Sequence, residues 1–136
     1  MNKETKGDQK IARSIAFISR HLNKPIKVTQ LAETANLSPS YFWALFKEKT
    51  GYAPIDFLIR LRMHQACHLL NRTEMTVKQI ATTLGYKDSL YFSRAFKLIL
   101  GVAPTRYRVA GSDANTVLEP TATGHPPEAT LVRAAL

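Results

Sequence analysis

The sequence predicts an all-α fold of about seven helices, in which two short helical pairs are joined by one long helix. Two observations carry that prediction. Apolar residues recur at the three- and four-residue spacing of a helix face, with no strand-like alternation. A block of the first half also returns in the second: Tyr41, Phe42, Phe46, Lys47, Gly51, Ala53 and Pro54 reappear as Tyr91, Phe92, Phe96, Lys97, Gly101, Ala103 and Pro104, each 50 residues later. Upstream the offset is 49, pairing Leu31, Ala32 and Leu37 with Ile80, Ala81 and Tyr86, so one residue has been added in the second turn.

The elements follow in order. Ile11, Ile15, Ile18 and Leu22 form one face of a first helix that must end before Pro25. Thr29 is placed to cap a short second helix carrying Leu31, Ala32 and Ala35, and Asn36 suits the left-handed residue that stops it. Ser38-Pro39 is an N-cap with a first-turn proline. It opens a third helix that turns Phe42, Leu45 and Phe46 inward and ends at Gly51. A long fourth helix runs from Pro54 to about Asn71, with Ile55, Ile59, Met63, Ala66 and Leu70 on one stripe. Leu58, Leu61 and Leu69 broaden that stripe, as expected of a helix touching two neighbours. Thr76 and Gln79 make a capping box for a fifth helix bearing Val77, Ile80, Ala81 and Leu84, stopped by Gly85. Asp88 caps a sixth, which carries Phe92, Ala95 and Phe96 to Gly101. Residues 104–108 allow one more short helix.

The chain has 136 residues, 45% of them apolar, enough for the core of one small domain. A lone cysteine, Cys67, excludes an internal disulfide or a cysteine-rich zinc site. No run approaches the roughly 20 apolar residues of a membrane span, and MNKETKGDQK lacks the apolar centre of a secretory signal. These features predict a soluble cytoplasmic protein with no membrane partner. Net charge is +9, unevenly spread: residues 9–109 hold 16 basic against 5 acidic side chains. An excess of that size on one small domain is the footprint of a polyanion, most often nucleic acid. We expect a flexible segment at 1–8, a domain at 9–109 and a disordered tail at 110–136. The domain divides into a first subdomain at 9–53, the linker helix at 54–72 and a second subdomain at 73–109.

Each repeated unit has the grammar of a helix-turn-helix. A small residue (Ala32, Ala81) lets the two helices approach, and a turn former (Asn36, Gly85) permits the reversal. The second helix of each unit buries aromatics on one side, which frees the other to enter a major groove. By helical spacing that free side holds Ser40, Trp43, Ala44 and Lys47 in the first unit. In the second it holds Leu90, Ser93, Arg94 and Lys97, with Ser89 in the first turn. The bridging helix of about 18 residues spans roughly 27 Å. One turn of B-DNA is about 34 Å, so the bridge can set two such helices in successive major grooves of one duplex.

At these residues the chain resembles a known family. GYKDSLYFSRAFKLILGVAPTRYR, with TVKQIATTLGY before it, is similar to the C-terminal signature of the AraC/XylS bacterial transcription regulators. SPSYFWALFKEKTG resembles their first recognition helix and APIDFLIRLRMHQACHLL their linker helix. The resemblance covers residues 9–109. It implies a seven-helix domain with two helix-turn-helix units, binding double-stranded promoter DNA and more often activating than repressing, with RNA polymerase as a second partner. Most members of that family carry a separate sensor and dimerisation domain ahead of this region. Only about eight residues precede the first helix here, which fits either a standalone regulator or the excised end of a longer protein, and we expect the isolated domain to be monomeric.

The chain departs from the family in its first unit, with Ala44 where an arginine is usual and Trp43 where a small polar residue is. Bidentate arginine on guanine is the commonest specific contact, so this unit lacks one guanine reader. Trp43 fits either apolar contact with thymine methyls and sugar or burial against the linker helix. Arg94 stands at the family's usual base-contacting position. Ser40, Trp43, Ala44, Ser89, Leu90, Ser93 and Arg94 are therefore the base-contact candidates. Leu90 fits a thymine methyl and packing on the turn equally. Lys47, Lys97, Arg60 and Arg62 are the phosphate candidates, which position without reading sequence, although a structural ion pair serves Arg62 as well.

Other chemistry finds little support. His64 and His68 are four residues apart with Cys67 beside them, but a fourth metal ligand is missing nearby and His21 and His125 are remote. The carboxylates Glu33, Glu48, Asp56, Glu74 and Asp88 are scattered, and there is no phosphate-cradling glycine loop. No enzyme activity, cofactor, metal or small-molecule ligand is expected. The alternative is an architectural protein that binds nucleic acid without sequence preference, resting on charge alone. A basic adaptor for acidic proteins or membranes would want one continuous basic face, which the helix-turn-helix pattern does not give.

Overall fold

The computed structural model describes residues 5–110; residues 111–136 of the expected tail and the first four residues of the expected flexible segment lie outside them, and Ala110, counted with the tail, ends the last helix. Among the described residues there are seven helices and no strand: α1 (Lys6–Arg20), α2 (Val28–Thr34), α3 (Pro39–Thr50), α4 (Pro54–Arg72), α5 (Val77–Thr83), α6 (Ser89–Leu100) and α7 (Pro104–Ala110). No described helix is long and apolar enough to cross a membrane.

The helix α1 begins before residue 9, which corrects the expected flexibility of residues 5–8. The Thr5 hydroxyl accepts from the Asp8 N–H at 3.0 Å and the Asp8 carboxylate accepts from the Thr5 N–H at 3.1 Å, closing a capping box. Asp8 then meets Lys49 at 2.9 Å, tying this turn to α3, and that ammonium holds the Asp8 carboxyl below its ordinary range. A second correction concerns α2. Thr29 lies inside the helix, and the chain is capped two residues earlier, where Gln30 Oε1 accepts from the Lys27 N–H at 2.8 Å. The other caps form as predicted: Ser38 on Tyr41, Thr76 with Gln79, and Asp88 on Leu90.

The two units are built alike. Asn36 (φ 57°) and Gly85 (φ 91°) occupy the same left-handed corner. In each, the next residue donates five positions back, Leu37 to Ala32 at 3.0 Å and Tyr86 to Ala81 at 2.9 Å. The corner residues donate to Glu33 and Thr82, completing a Schellman stop on both α2 and α5. The second helices of the two units, α3 and α6, end at Gly51 and Gly101, with φ of 87° and 88°. The aromatic pairs repeat as well, Phe42 with Phe46 at 5.5 Å and Phe92 with Phe96 at 5.9 Å. Phe46 meets Phe57 edge-on, and Phe96 meets Tyr107 edge-on. Since 57 and 107 again differ by 50, α7 is the second copy of the opening of α4.

Helix α4 joins two cores. Its first half buries Phe57, Leu58 and Leu61 with α1–α3, and its second half buries Met63, Ala66 and Leu70 with α5–α7. At about 100° per residue these two stripes lie on nearly opposite faces. The predicted stripe is the second of them extended too far back: Ile59 packs on the second core, but Ile55, a turn earlier, has run past it and is 37% exposed.

Tyr107 supplies a prediction. It is buried at the α4–α7 contact, where its hydroxyl accepts from Asn71 Nδ2 at 3.1 Å, and burial pushes the phenol above its ordinary range. A phenol raised in the folded state contributes its full stabilisation below the unfolded value of about pH 10 and loses it as pH climbs toward the folded value. Melting temperature should therefore fall above about pH 10, and fall less steeply in Tyr107→Phe. Identical alkaline slopes in thermal scans would contradict this.

Candidate nucleic-acid interface

The caps at Ser38 and Asp88 set α3 and α6 in the same rotational register, with Phe42 and Phe46, or Phe92 and Phe96, fully buried. What turns outward follows. Ser40, Ala44 and Lys47 are exposed on α3, and Trp43 is 43% exposed rather than buried against α4. Lys47 Nζ sits 5.3 Å from the centre of the Trp43 ring. A cation–π contact of this kind holds the ammonium in place without neutralising it. On α6, Leu90 is 57% exposed, and Arg94 and Lys97 are exposed. Ser89 and Ser93 are half-buried. Each recognition helix thus presents a lysine at its C-terminal end and a large side chain one turn before it: Trp43 on α3, Arg94 on α6.

Sequence reasoning missed Tyr41 and Tyr91. Both stand third in their helices and are 58% and 67% exposed. The signal was available, because they belong to the 50-residue repeat and fall off the spacing of its buried aromatics.

The two phosphate candidates on α4, Arg60 and Arg62, have partners within the protein. Arg60 Nε pairs with Asp56 at 3.3 Å along α4, and its guanidinium lies 4.9 Å from the ring centre of Tyr52 in the first subdomain. Arg62 makes hydrogen bonds instead of the ion pair allowed for it. Nε donates to the Leu22 carbonyl at 2.8 Å and Nη2 to the Lys24 carbonyl at 2.7 Å. Both phosphate candidates on α4 thus have structural partners within the protein. The His64 and His68 rings meet edge-on at 5.0 Å, and Cys67 packs against the second core beside the Tyr107 hydroxyl. No described cluster of three metal-ligating side chains forms.

Comparison with known proteins places this arrangement. Residues 31–110 match the family described as Helix-turn-helix domain. The chain is 36% identical over 93 residues to the MmsAB operon regulatory protein of Pseudomonas aeruginosa, an alignment covering 68% of this chain and 30% of that protein. Among solved structures it resembles the C-terminal domain of AraT, a response regulator from Geobacillus stearothermophilus, with TM-score 0.73 and 32% identity over 80% of this chain and 88% of that one. It also resembles the DNA-binding domain of the global transcriptional factor AdpA in complex with a target DNA, with TM-score 0.71 and 32% identity over 74% of this chain and 91% of that one. The chain spans about a third of the length of the curated relatives it matches. Its two helix-turn-helix units, their shared linker helix and these likenesses together assign the chain to the AraC family of helix-turn-helix transcription regulators.

Proposed function

We propose that the chain is a sequence-specific DNA-binding transcription regulator, an activator, that reads promoter DNA by placing α3 and α6 in successive major grooves. The observation that carries this reading is the pair of matched units. Their caps, corners and aromatic cores coincide, their outer faces are largely exposed among the described residues, and one 19-residue helix of about 28 Å joins them. Base contact falls to Trp43 and Arg94, with Ser40, Ala44, Ser89, Leu90 and Ser93 around them and Tyr41 and Tyr91 added. Phosphate contact falls to Lys47 and Lys97. The resemblance to a DNA-bound domain supports the duplex as partner. RNA polymerase as second partner, a cytoplasmic location and a monomeric isolated domain belong to the same reading. So does the absence of enzymatic activity.

The test is a binding selection from randomised duplexes of about 30 base pairs at near-physiological salt. Two enriched elements centred about one helical turn apart are expected. Tight, salt-sensitive binding without enrichment would replace this reading with the architectural one.

A further inference from the structure

We propose that Arg62 is a positioning residue that locks the two helix-turn-helix units in phase and so sets the spacing between the two DNA elements the protein accepts. This rests on the bipartite reading above and adds the part that fixes its geometry. The observations converge on the loop between α1 and α2. Arg62 holds the carbonyls of Leu22 and Lys24 in that loop. The carbonyl between them, that of Asn23, faces the corner of the other unit: a Cβ added to Gly85 would lie 3.0 Å from it. The same guanidinium lies 5.6 Å from the ring centre of Tyr86, the residue after that corner. Tyr86 in turn packs on α6, its ring 5.4 Å from Phe92 and 6.2 Å from Tyr91. One side chain therefore touches the backbone of the first unit and, through Tyr86, the recognition helix of the second.

Its place on α4 explains why it can. Arg62 lies four residues after Leu58, on the first core, and four before Ala66, on the second, so it occupies the seam between the two buried stripes. The second unit has a similar clasp, with Arg108 donating to the carbonyls of Leu70 and Thr73 at 3.1 Å each. Displaced by 50 residues, Arg108 corresponds to Leu58. The arginine of the first unit is thus shifted one turn along α4, onto the seam, where it serves both units. The Tyr86 hydroxyl is buried with no hydrogen-bond partner among the described residues, so its ring is held there by packing and by the guanidinium.

The physical demand is specific. One inserted base pair moves the second element about 3.4 Å along the axis and rotates it by about 35°. Two units locked in phase cannot follow, whereas two loosely tethered units can. Pre-alignment of this kind raises affinity at the matched spacing through effective concentration and withdraws it elsewhere.

The test uses spin labels at Glu48→Cys and Leu98→Cys, exposed counterparts on α3 and α6, in a Cys67→Ala background. Pulsed distance measurement on the free protein should give a narrow distribution that broadens in Arg62→Met and, with the loop carbonyls still clasped, in Tyr86→Leu. Arg62→Lys should be intermediate, since a single ammonium cannot reproduce the fork. On DNA carrying the selected elements at native spacing and moved by one or two base pairs, the unlabelled parent should lose about tenfold or more per shift. Arg62→Met should lose about threefold or less per shift. If both variants lower melting temperature and affinity uniformly while the spacing profile and distance width stay put, Arg62 is merely structural and the proposal fails. Should the selection recover one element only, the bipartite reading fails. The label distances then decide the clasp alone, and an unchanged width overturns it.

Discussion

Phe92→Ala is expected to cost about 3–5 kcal/mol and to unfold the second helix-turn-helix unit ahead of the first. Phe92 is fully buried, between Phe96 and the Tyr86 ring, in a core that shares only α4 with its neighbour. Total stabilities of such domains are about 5–15 kcal/mol, so this loss is a large part of what holds the unit. The sequence supplies its own reporter, because the single tryptophan, Trp43, lies in the first unit. In urea, far-ultraviolet dichroism should show an early loss of helix to which Trp43 fluorescence is blind. The counterpart Phe42→Ala should reverse the order, with fluorescence moving first. Coincident transitions for both probes in both variants would mean that α4 couples the cores into one cooperative unit, and the prediction would fail.

The two cores were legible in the sequence to different depths. Helix stops at Asn36, Gly51, Gly85 and Gly101 could be read because a left-handed corner needs one of very few residues, and all four have positive φ. The caps at Ser38, Thr76 and Asp88 were readable for the same reason, their side-chain acceptors being short and polar. Lys27 was not, since its backbone N–H is satisfied by Gln30 and its own side chain says nothing. The stripe on α4 was found but carried past its end, because periodicity records which face is apolar and not where the neighbouring helix stops. Arg62 shows the wider limit. Its seam position can be counted from Leu58 and Ala66, yet its partners are carbonyls, which every residue has and no sequence displays. The outward faces of α3 and α6 were legible because they are what the buried aromatics leave over.

That division of faces leads to the second large effect. Arg94→Ala should weaken binding to the selected site about ten- to hundredfold and relax preference at one base pair of the element read by α6. Arg94 is exposed on the face of α6 opposite its buried aromatics, the face proposed to enter the groove, and only a planar guanidinium fork offers two parallel donors to guanine. Arg94→Lys, which keeps the charge and loses the fork, should therefore resemble alanine in specificity while holding more of the affinity. The first unit is proposed to read differently. With Ala44 where a fork would stand, the proposed reading gives Trp43 the thymine methyls and Lys47, 5.3 Å from the Trp43 ring centre, a phosphate. Trp43→Ala should lose preference at thymines in the element read by α3. Lys47→Ala should weaken all sequences alike and reduce the salt slope by about 1. Competition binding over single-base variants of the selected site, repeated at two salt concentrations, separates these outcomes. If Arg94→Ala weakened every sequence equally and Trp43→Ala changed nothing, hydrogen-bonded readout by the second unit and methyl readout by the first would both be wrong. Specificity would then have to come from the shape of the DNA between the two elements.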